Sequence, residues 1–284
     1  MSPEPPPSTS TPPSSPAAVA PRPPGPRPTV PVTIDGEDVL AHDDETILAL
    51  ARRTGVPIPT LCHLEGLSIH GGCRLCVVEV EGEHRLPLAC ATPVTAEMEV
   101  RTTSPQLRDH RRRIVSLLFA EGSHVCAACV ASGACELQDL ATQNGVDHIV
   151  YELTFPNHEV DASHPRYVLD RNRCVLCTRC VRVCDEIEGA HVWDVAQRGN
   201  QSRLVAGMDQ PWGEVASCTS CGKCVAACPT GALYEQGTTP GELRHDPGLV
   251  SFLADARDGR WDDRMGSNGR GRNGENGENG EVTR

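Results

Sequence analysis

The chain has 284 residues, a formal net charge of −12 and only 3% aromatic residues. The acidic balance excludes the basic surface that nucleic-acid binding requires, so no nucleic-acid partner is expected. The N-terminus lacks the basic and apolar stretches of a secretory signal, and no segment is long and apolar enough to predict a membrane span.

Both ends of the chain are predicted to be disordered tails. Residues 1–28 are dominated by Pro, Ser and Thr, and residues 262–284 by Gly, Asn, Glu and Arg. Such compositions cannot bury enough apolar surface to offset the entropy lost on folding. The part between the tails is long enough for a few small fused domains, and we expect an α+β fold there.

Residues 29–103 are predicted to be mainly sheet. Residues 30–34 alternate like a strand, and residues 77–80 form a second, largely apolar strand. Between them, Asp44 is predicted to cap a short helix through residues 46–51. The segment therefore predicts a small domain made of a sheet and one helix.

Four cysteines of this domain form the first set, which is Cys62, Cys73, Cys76 and Cys90. Their spacing is similar to that of a plant-type [2Fe–2S] site, except that the first gap has ten residues instead of four. On spacing alone a zinc site is the alternative. The sheet-and-helix context favours a ferredoxin-like β-grasp domain with one [2Fe–2S] cluster. Gly71 and Gly72 would let the backbone approach the sulfides.

Residues 104–150 are predicted to be a short helical segment. Ser104 is a suitable N-cap for a helix over residues 104–121, and residues 135–143 are expected to form another short helix. The basic run Arg111-Arg112-Arg113 is expected to face solvent or an acidic partner surface.

The second set lies in this segment and contains Cys126, Cys129 and Cys135. Three thiolates leave a [4Fe–4S] cluster one ligand short. His124 is the predicted fourth ligand because it is two residues from Cys126 and imidazole binds iron. His110, one helix away, is a second candidate. The alternative interpretation makes His124 a surface residue at a helix end.

Residues 151–240 contain an internal repeat, in which each half reads Cys-x2-Cys-x2-Cys-x3-Cys. In bacterial two-cluster ferredoxins the fourth cysteine of each run binds the other cluster. We therefore predict one [4Fe–4S] cluster on a third set and another on a fourth set. The third set is Cys174, Cys177, Cys180 and Cys228, and the fourth is Cys184, Cys218, Cys221 and Cys224. Zinc also binds Cys-x2-Cys pairs, but three-thiolate loops used twice favour iron.

Two further elements are expected around this repeat. A hairpin is predicted around Gly199, between the two halves. Residues 241–261 are predicted to contain a C-terminal helix that begins at Asp246 and Pro247.

The cysteine count indicates the class of protein. All fifteen cysteines fall into the four sets, and with His124 they supply the sixteen ligands that four clusters need. An odd number fits a disulfide framework badly, whereas metal-bound thiolates fit a reducing cytoplasm. The only Gly-x-Gly-x-x-Gly match, residues 269–274, lies in the C-terminal tail without a preceding strand. The chain is therefore predicted to carry electrons and to have no catalytic residue of its own.

The three cysteine-containing segments, in this order, resemble a known family. The runs at residues 117–126, 135–140 and 170–177 are similar to the diaphorase small (iron–sulfur) subunit of the Hox-type NAD-reducing bidirectional [NiFe] hydrogenase. The arrangement also resembles the N-terminal iron–sulfur region of the complex I large subunit and of multi-cluster iron-only hydrogenases. Those two relatives usually have His-x3-Cys in the second set, where this chain has His124-x-Cys126.

The resemblance implies a function as an electron relay. One [2Fe–2S] and three [4Fe–4S] clusters would pass electrons between a flavin- and NAD(H)-binding diaphorase subunit and the small subunit of a [NiFe] hydrogenase, with FMN and NAD only on a partner. Two alternatives remain. The same module could serve an NAD-linked formate dehydrogenase or a complex I-like enzyme. A zinc-bound structural or interaction protein is the alternative of another class.

Overall fold

The computed structural model describes residues 28–260 of the chain. The predicted tails, apart from Pro28, lie outside the described residues. The described part contains both helices and short strands, and it forms three regions that follow one another along the chain. Buried side chains of one region pack against those of the next.

The first region contains a four-stranded mixed sheet with the strand order β2-β1-β4-β3. Its strands are β1 (Thr29–Ile34), β2 (Glu37–His42), β3 (Glu79–Val80) and β4 (Met98–Arg101). β1 pairs antiparallel with β2 and parallel with β4, and β3 pairs antiparallel with β4. Helix α1 (Ile47–Thr54) contributes Ile47, Leu48 and Leu50 to the core that covers one face of this sheet.

Two sequence expectations in this region were wrong in detail. The N-cap of α1 is Thr46 instead of Asp44, because Thr46 has extended backbone angles and its hydroxyl accepts a hydrogen bond from Ala49 N at 3.2 Å. The strand predicted at residues 77–80 joins the sheet only at Glu79–Val80. The Val78 N–H instead donates to the carbonyl of Pro87, so this end of the segment pairs with another loop.

The second region contains helices α2 (Pro105–Glu121) and α3 (Glu136–Gln143). Both predicted helices are confirmed, and the Ser104 hydroxyl caps α2 by accepting from Leu107 N at 3.2 Å. The expectation that Arg111-Arg112-Arg113 faces solvent was wrong for Arg111, which is buried.

Arg111 is buried because its guanidinium has three backbone partners between α2 and the first region. It donates to the carbonyls of Leu75, Val77 and Thr102 at 3.2, 2.9 and 3.0 Å. These hydrogen bonds replace those that the charged guanidinium would otherwise make with water. Arg112 and Arg113 are exposed, as expected.

The third region contains two separate two-stranded antiparallel sheets. The sheets pair β5 (Tyr167–Leu169) with β8 (Leu233–Glu235), and β6 (Trp193–Ala196) with β7 (Arg203–Ala206). The second pair is the hairpin that the sequence predicts around Gly199. Three helices accompany the sheets: α4 (Arg179–Val183), α5 (Lys223–Ala227) and α6 (Pro247–Arg257). The predicted start of α6 at Asp246 and Pro247 is confirmed.

One loop of the first region, residues 61–75, packs into the other two regions. Leu64 and Leu67 are buried in the core of the third region, and Leu61 and Leu75 are buried with side chains of α2 and α3. Burial of each leucine contributes about 1.5–3 kcal/mol. The long first gap of the first set, which spans residues 63–72, therefore supplies the two leucines that join this loop to the third region.

Within residues 28–260, no helix has the length and apolarity needed to cross a bilayer.

Candidate metal centres

The four thiols of the first set lie together at the edge of the first region. The sulfur atoms of Cys76 and Cys90 are 3.4 Å apart, and the Ala89 N–H donates to the Cys76 carbonyl, which holds these two loop segments side by side. A side-chain hydrogen bond with Cys73 lowers the pKa of Cys62 to about 6. The pKa of Cys90 is raised by its side-chain hydrogen bond with Cys76, by burial and by the charges of the other cysteines of the set.

The loop geometry explains why these thiols face one another. Gly71 and Arg74, on either side of Cys73, have left-handed φ values of 67° and 57°. Such a backbone turns tightly, and Gly71 adopts it without strain. The backbone N–H groups of Cys73 and Gly72 also lower the pKa of Cys62.

The second set lines one small cavity. Its three thiols and the His124 ring share the lining with residues of the second and third regions, which are Phe119, Val125, Leu137, Gln138, Arg173, Thr230 and Gly231. Gly231 packs so closely that a Cβ there would lie 2.7 Å from the Cys129 sulfur. The site is therefore closed by the third region, although its thiols come from residues 126–135.

His124 has the surroundings expected of a ligand. Its Nε2 atom is buried and has no hydrogen-bond partner, whereas the ring bonds the backbone of Leu118 through its other nitrogen. Burial lowers the pKa of His124 to about 4, so the ring is neutral. Metal-bound histidines usually donate their second N–H to a carbonyl or carboxylate in this way. The Nε2 atom of the other candidate, His110, instead lies 3.1 Å from the carbonyl oxygen of Arg74.

The two runs of the repeat have matching backbones. Leu176 and Thr178 in the first run, and Ser220 and Gly222 at the same positions of the second, all have left-handed φ values between 50° and 74°. Each run therefore turns in the same way between its cysteines, and each ends in a short helix, α4 or α5.

The neighbours of the repeat's thiols fit the crossed grouping that the sequence predicts, which stays a prediction. Burial raises the pKa of Cys180, and the charges of Cys177, Cys174 and Cys228, followed by Cys224, raise it further. Burial also raises the pKa of Cys224, and the thiols that raise it further are Cys221, Cys184 and Cys218. One cavity is lined by the four thiols of the fourth set together with Tyr167, Trp193, Trp212 and Lys223.

The chemistry of these sets fits a bound cation of high charge. In the third and fourth sets, burial and the neighbouring thiols raise the pKa of Cys174, Cys180 and Cys224, so these thiols stay protonated unless positive charge compensates them. A coordinated metal deprotonates a thiol outright. Thiols that line a cavity, as those of the second and fourth sets do, fit a cluster of several iron atoms.

Several residues at these sites carry no sequence signal. The Trp212 indole N–H donates to the Cys218 sulfur at 3.4 Å, and Gln138 hydrogen-bonds Cys126. Neither lies inside a recognisable cysteine motif at a position that the motif requires. Both are found only once the fold has brought distant segments together.

Comparison with known proteins first defines the class. Residues 27–105 match a 2Fe-2S iron-sulfur cluster binding domain. Residues 111–150 match the NADH-ubiquinone oxidoreductase-G iron-sulfur binding region, and residues 165–234 match the ferredoxin-like domain of NADH-quinone oxidoreductase subunit 3. The chain is therefore an iron–sulfur protein with a [2Fe–2S] domain followed by [4Fe–4S] domains.

The relatives then define the family. The chain is 34% identical over 211 residues to the gamma subunit of the NAD-reducing hydrogenase HoxS from Cupriavidus necator, covering 73% of this chain and 88% of that subunit. It also matches a chain in the crystal structure of an NAD+-reducing [NiFe]-hydrogenase in the H2-reduced state, with 36% identity and a TM-score of 0.70, covering 74% of this chain and 88% of that one. The chain belongs to the family of the HoxS gamma subunit, and the predicted resemblance is confirmed.

Other relatives are much longer. The chain is 38% identical over 212 residues to the NADP-reducing hydrogenase subunit HndD of Solidesulfovibrio fructosivorans. The match covers 72% of this chain but only 36% of HndD. The same iron–sulfur module therefore occurs within larger proteins.

Proposed function

We propose that this chain relays single electrons between a flavin- and NAD(H)-binding diaphorase subunit and the small subunit of a [NiFe] hydrogenase. One observation carries the proposal: of the four sets into which the fifteen thiols and His124 fall, the second lines one small cavity and the fourth lines another. Such an array suits stepwise transfer. The family relationship supports the choice of hydrogenase.

The proposed ligands follow the four sets. The first set holds one [2Fe–2S] cluster in a β-grasp domain at residues 29–103, and the second holds a [4Fe–4S] cluster in a helical segment at residues 104–150. The third and fourth sets hold two [4Fe–4S] clusters in a two-cluster ferredoxin-like domain at residues 151–240. The last segment, residues 241–261, contains the C-terminal helix. The boundaries of all these domains and segments stay a prediction.

The chain's own residues set the conditions for transfer. Bound iron–sulfur clusters accept and donate one electron at a time. Buried leucines around the third and fourth sets exclude water there, and the protein donates hydrogen bonds to sulfur from Trp212 and from backbone N–H groups. Neutral His124 would bring one less negative charge to its site than a thiolate, which favours the reduced state there.

Flavin chemistry belongs to a partner in this proposal. A hydride donor such as NADH requires a flavin to split its electron pair before one-electron carriers accept it. FMN and NAD are therefore placed on the diaphorase subunit. A cytoplasmic location, which rests on the free thiols, stays a prediction.

A complex I-like enzyme is the second candidate. Two of the three matching family models are of NADH-ubiquinone or NADH-quinone oxidoreductase subunits. In that case the relay would have the same ligands and different partners.

The proposal is tested by anaerobic reduction with NADH. The full chain alone should keep the visible absorbance of its oxidised clusters, whereas the chain co-purified with its flavin subunit should bleach within the mixing time. Bleaching of the chain alone by NADH would contradict the relay. Purification from the native host with complex I subunits in place of hydrogenase subunits would support the second candidate.

A further inference from the structure

One buried arginine lies between the first and third sets. Arg182 on α4 donates from its Nη2 atom to the carbonyl of Cys62 at 2.6 Å and to the carbonyl of Cys177 at 3.2 Å. Its Nη1 atom donates to the Ser68 carbonyl at 2.6 Å. Cys62 belongs to the first set and Cys177 to the third. A single nitrogen atom thus joins the backbones of two proposed ligands that are 115 residues apart in sequence.

The fold holds this side chain in place from both sides. On α4, the Arg182 N–H donates to the Thr178 carbonyl and its Nε to the Thr178 hydroxyl at 3.3 Å. On the other side, Leu64 and Leu67 anchor the loop that carries Cys62 in the core of the third region. The bridge is therefore rigid, which a defined path between two sites requires.

We infer that Arg182 is a positioning residue that connects the first and third sets for electron transfer, an inference that rests on the proposed function. Electronic coupling decays less steeply through covalent and hydrogen bonds than through a gap. The path runs from the Cys62 carbonyl through the two N–H bonds of Nη2 to the Cys177 carbonyl. Its charge also favours the reduced form of both neighbouring sites.

The transfer needs no proton at this residue. A guanidinium stays protonated under all conditions in which the protein is folded, so Arg182 keeps all its hydrogen bonds in each redox state. One electron leaves the donor site, which is oxidised, and one electron reduces the acceptor site.

A neighbouring arginine provides the matched control. Arg179 is also buried on α4 and clamps the same loop, but its bonds go to the His63 carbonyl and to both oxygens of Glu136, at 2.6–3.0 Å. It thus ties α4 to the same loop, and also to α3, without joining the carbonyls of Cys62 and Cys177. A structural defect from loosening α4 should affect variants of both arginines.

The experiment uses the purified complex with its flavin subunit and three variants of the chain. R182K keeps the charge but is too short to reach both carbonyls, R182Q also removes the charge, and R179K is the control. After mixing with NADH, rapid freeze-quench EPR follows reduction of the [2Fe–2S] and [4Fe–4S] signals. Redox titration of the full chain alone gives the midpoint potentials.

The two changes should have different effects. R182K should slow electron transfer between the first and third sites about tenfold or more. Its midpoint potentials should stay close to those of the wild type, so that the reduced-to-oxidised ratio at a fixed potential changes by less than about threefold. R182Q should slow the transfer in the same way and also lower the reduced-to-oxidised ratio about tenfold at a fixed potential. This change corresponds to a midpoint potential that is more negative by about 59 mV for one electron. R179K should change neither.

The outcomes separate the inference from the proposed function. Wild-type transfer rates in an R182K variant with full iron content would overturn the bridge and leave the relay intact. Iron loss in both Arg182 variants but not in R179K would assign Arg182 a purely structural role and also overturn it. If the wild-type chain itself lacked the [2Fe–2S] signal, the proposed function would fail instead.

Discussion

Arg111→Gln should loosen the contact between α2 and the first region. The substitution removes three hydrogen bonds, of 2.9–3.2 Å, to the carbonyls of Leu75, Val77 and Thr102. A buried carbonyl left without its donor costs about 1–3 kcal/mol. Entry of water and the gain in hydration of the lost guanidinium offset part of this cost, so we expect a loss of about 3 kcal/mol in the free energy of unfolding.

The assay is anaerobic urea denaturation followed by the visible absorbance of the clusters. With a slope of about 3 kcal/mol per molar urea, the loss lowers the midpoint by about 1 M. Arg112→Gln is the control, because this neighbour is exposed and its substitution should stay within about 0.5 kcal/mol. Equal midpoints for the two variants would refute the structural role of the buried guanidinium.

Three further substitutions test other contacts. Leu67→Ala should cost about 2–5 kcal/mol because it leaves a cavity in the core of the third region, whereas exposed Ile69→Ala should leave the urea midpoint unchanged. Trp212→Phe removes an N–H donor to sulfur and should make one [4Fe–4S] midpoint potential more negative by about 20–60 mV. Tyr167→Phe, in the same aromatic cluster, is the control and should leave that potential unchanged. His124→Ala should alter one [4Fe–4S] EPR signal and spare the other clusters. An unchanged spectrum would remove this histidine from the ligands.

Local signals in the sequence predicted the elements that local physics determines. Ser104 caps α2 and Asp246 caps α6 because each side chain bonds an N–H three residues later. The cysteine spacings predict four ligand sets, since short gaps restrict a loop to turn around one site, and this assignment stays a prediction. The assignment of Asp44 as a cap failed because a second suitable residue, Thr46, stands closer to the first turn.

Long-range contacts escaped prediction for a physical reason. Arg111 and Arg182 sit in ordinary polar positions of their helices, and only the docking of residues 61–75 turns them into buried donors. Gly231 closes the site of the second set from about a hundred residues away in sequence. No periodicity or spacing encodes such partners, because they depend on how separate regions pack.

The most direct test of the relay is an anaerobic measurement of iron and sulfide per chain, combined with EPR of the reduced protein. Four clusters on the four sets predict about fourteen irons, with one [2Fe–2S] and three [4Fe–4S] signals. About eight irons per chain would leave only the clusters of the third and fourth sets. A colourless protein without any EPR signal after reduction would contradict the whole account.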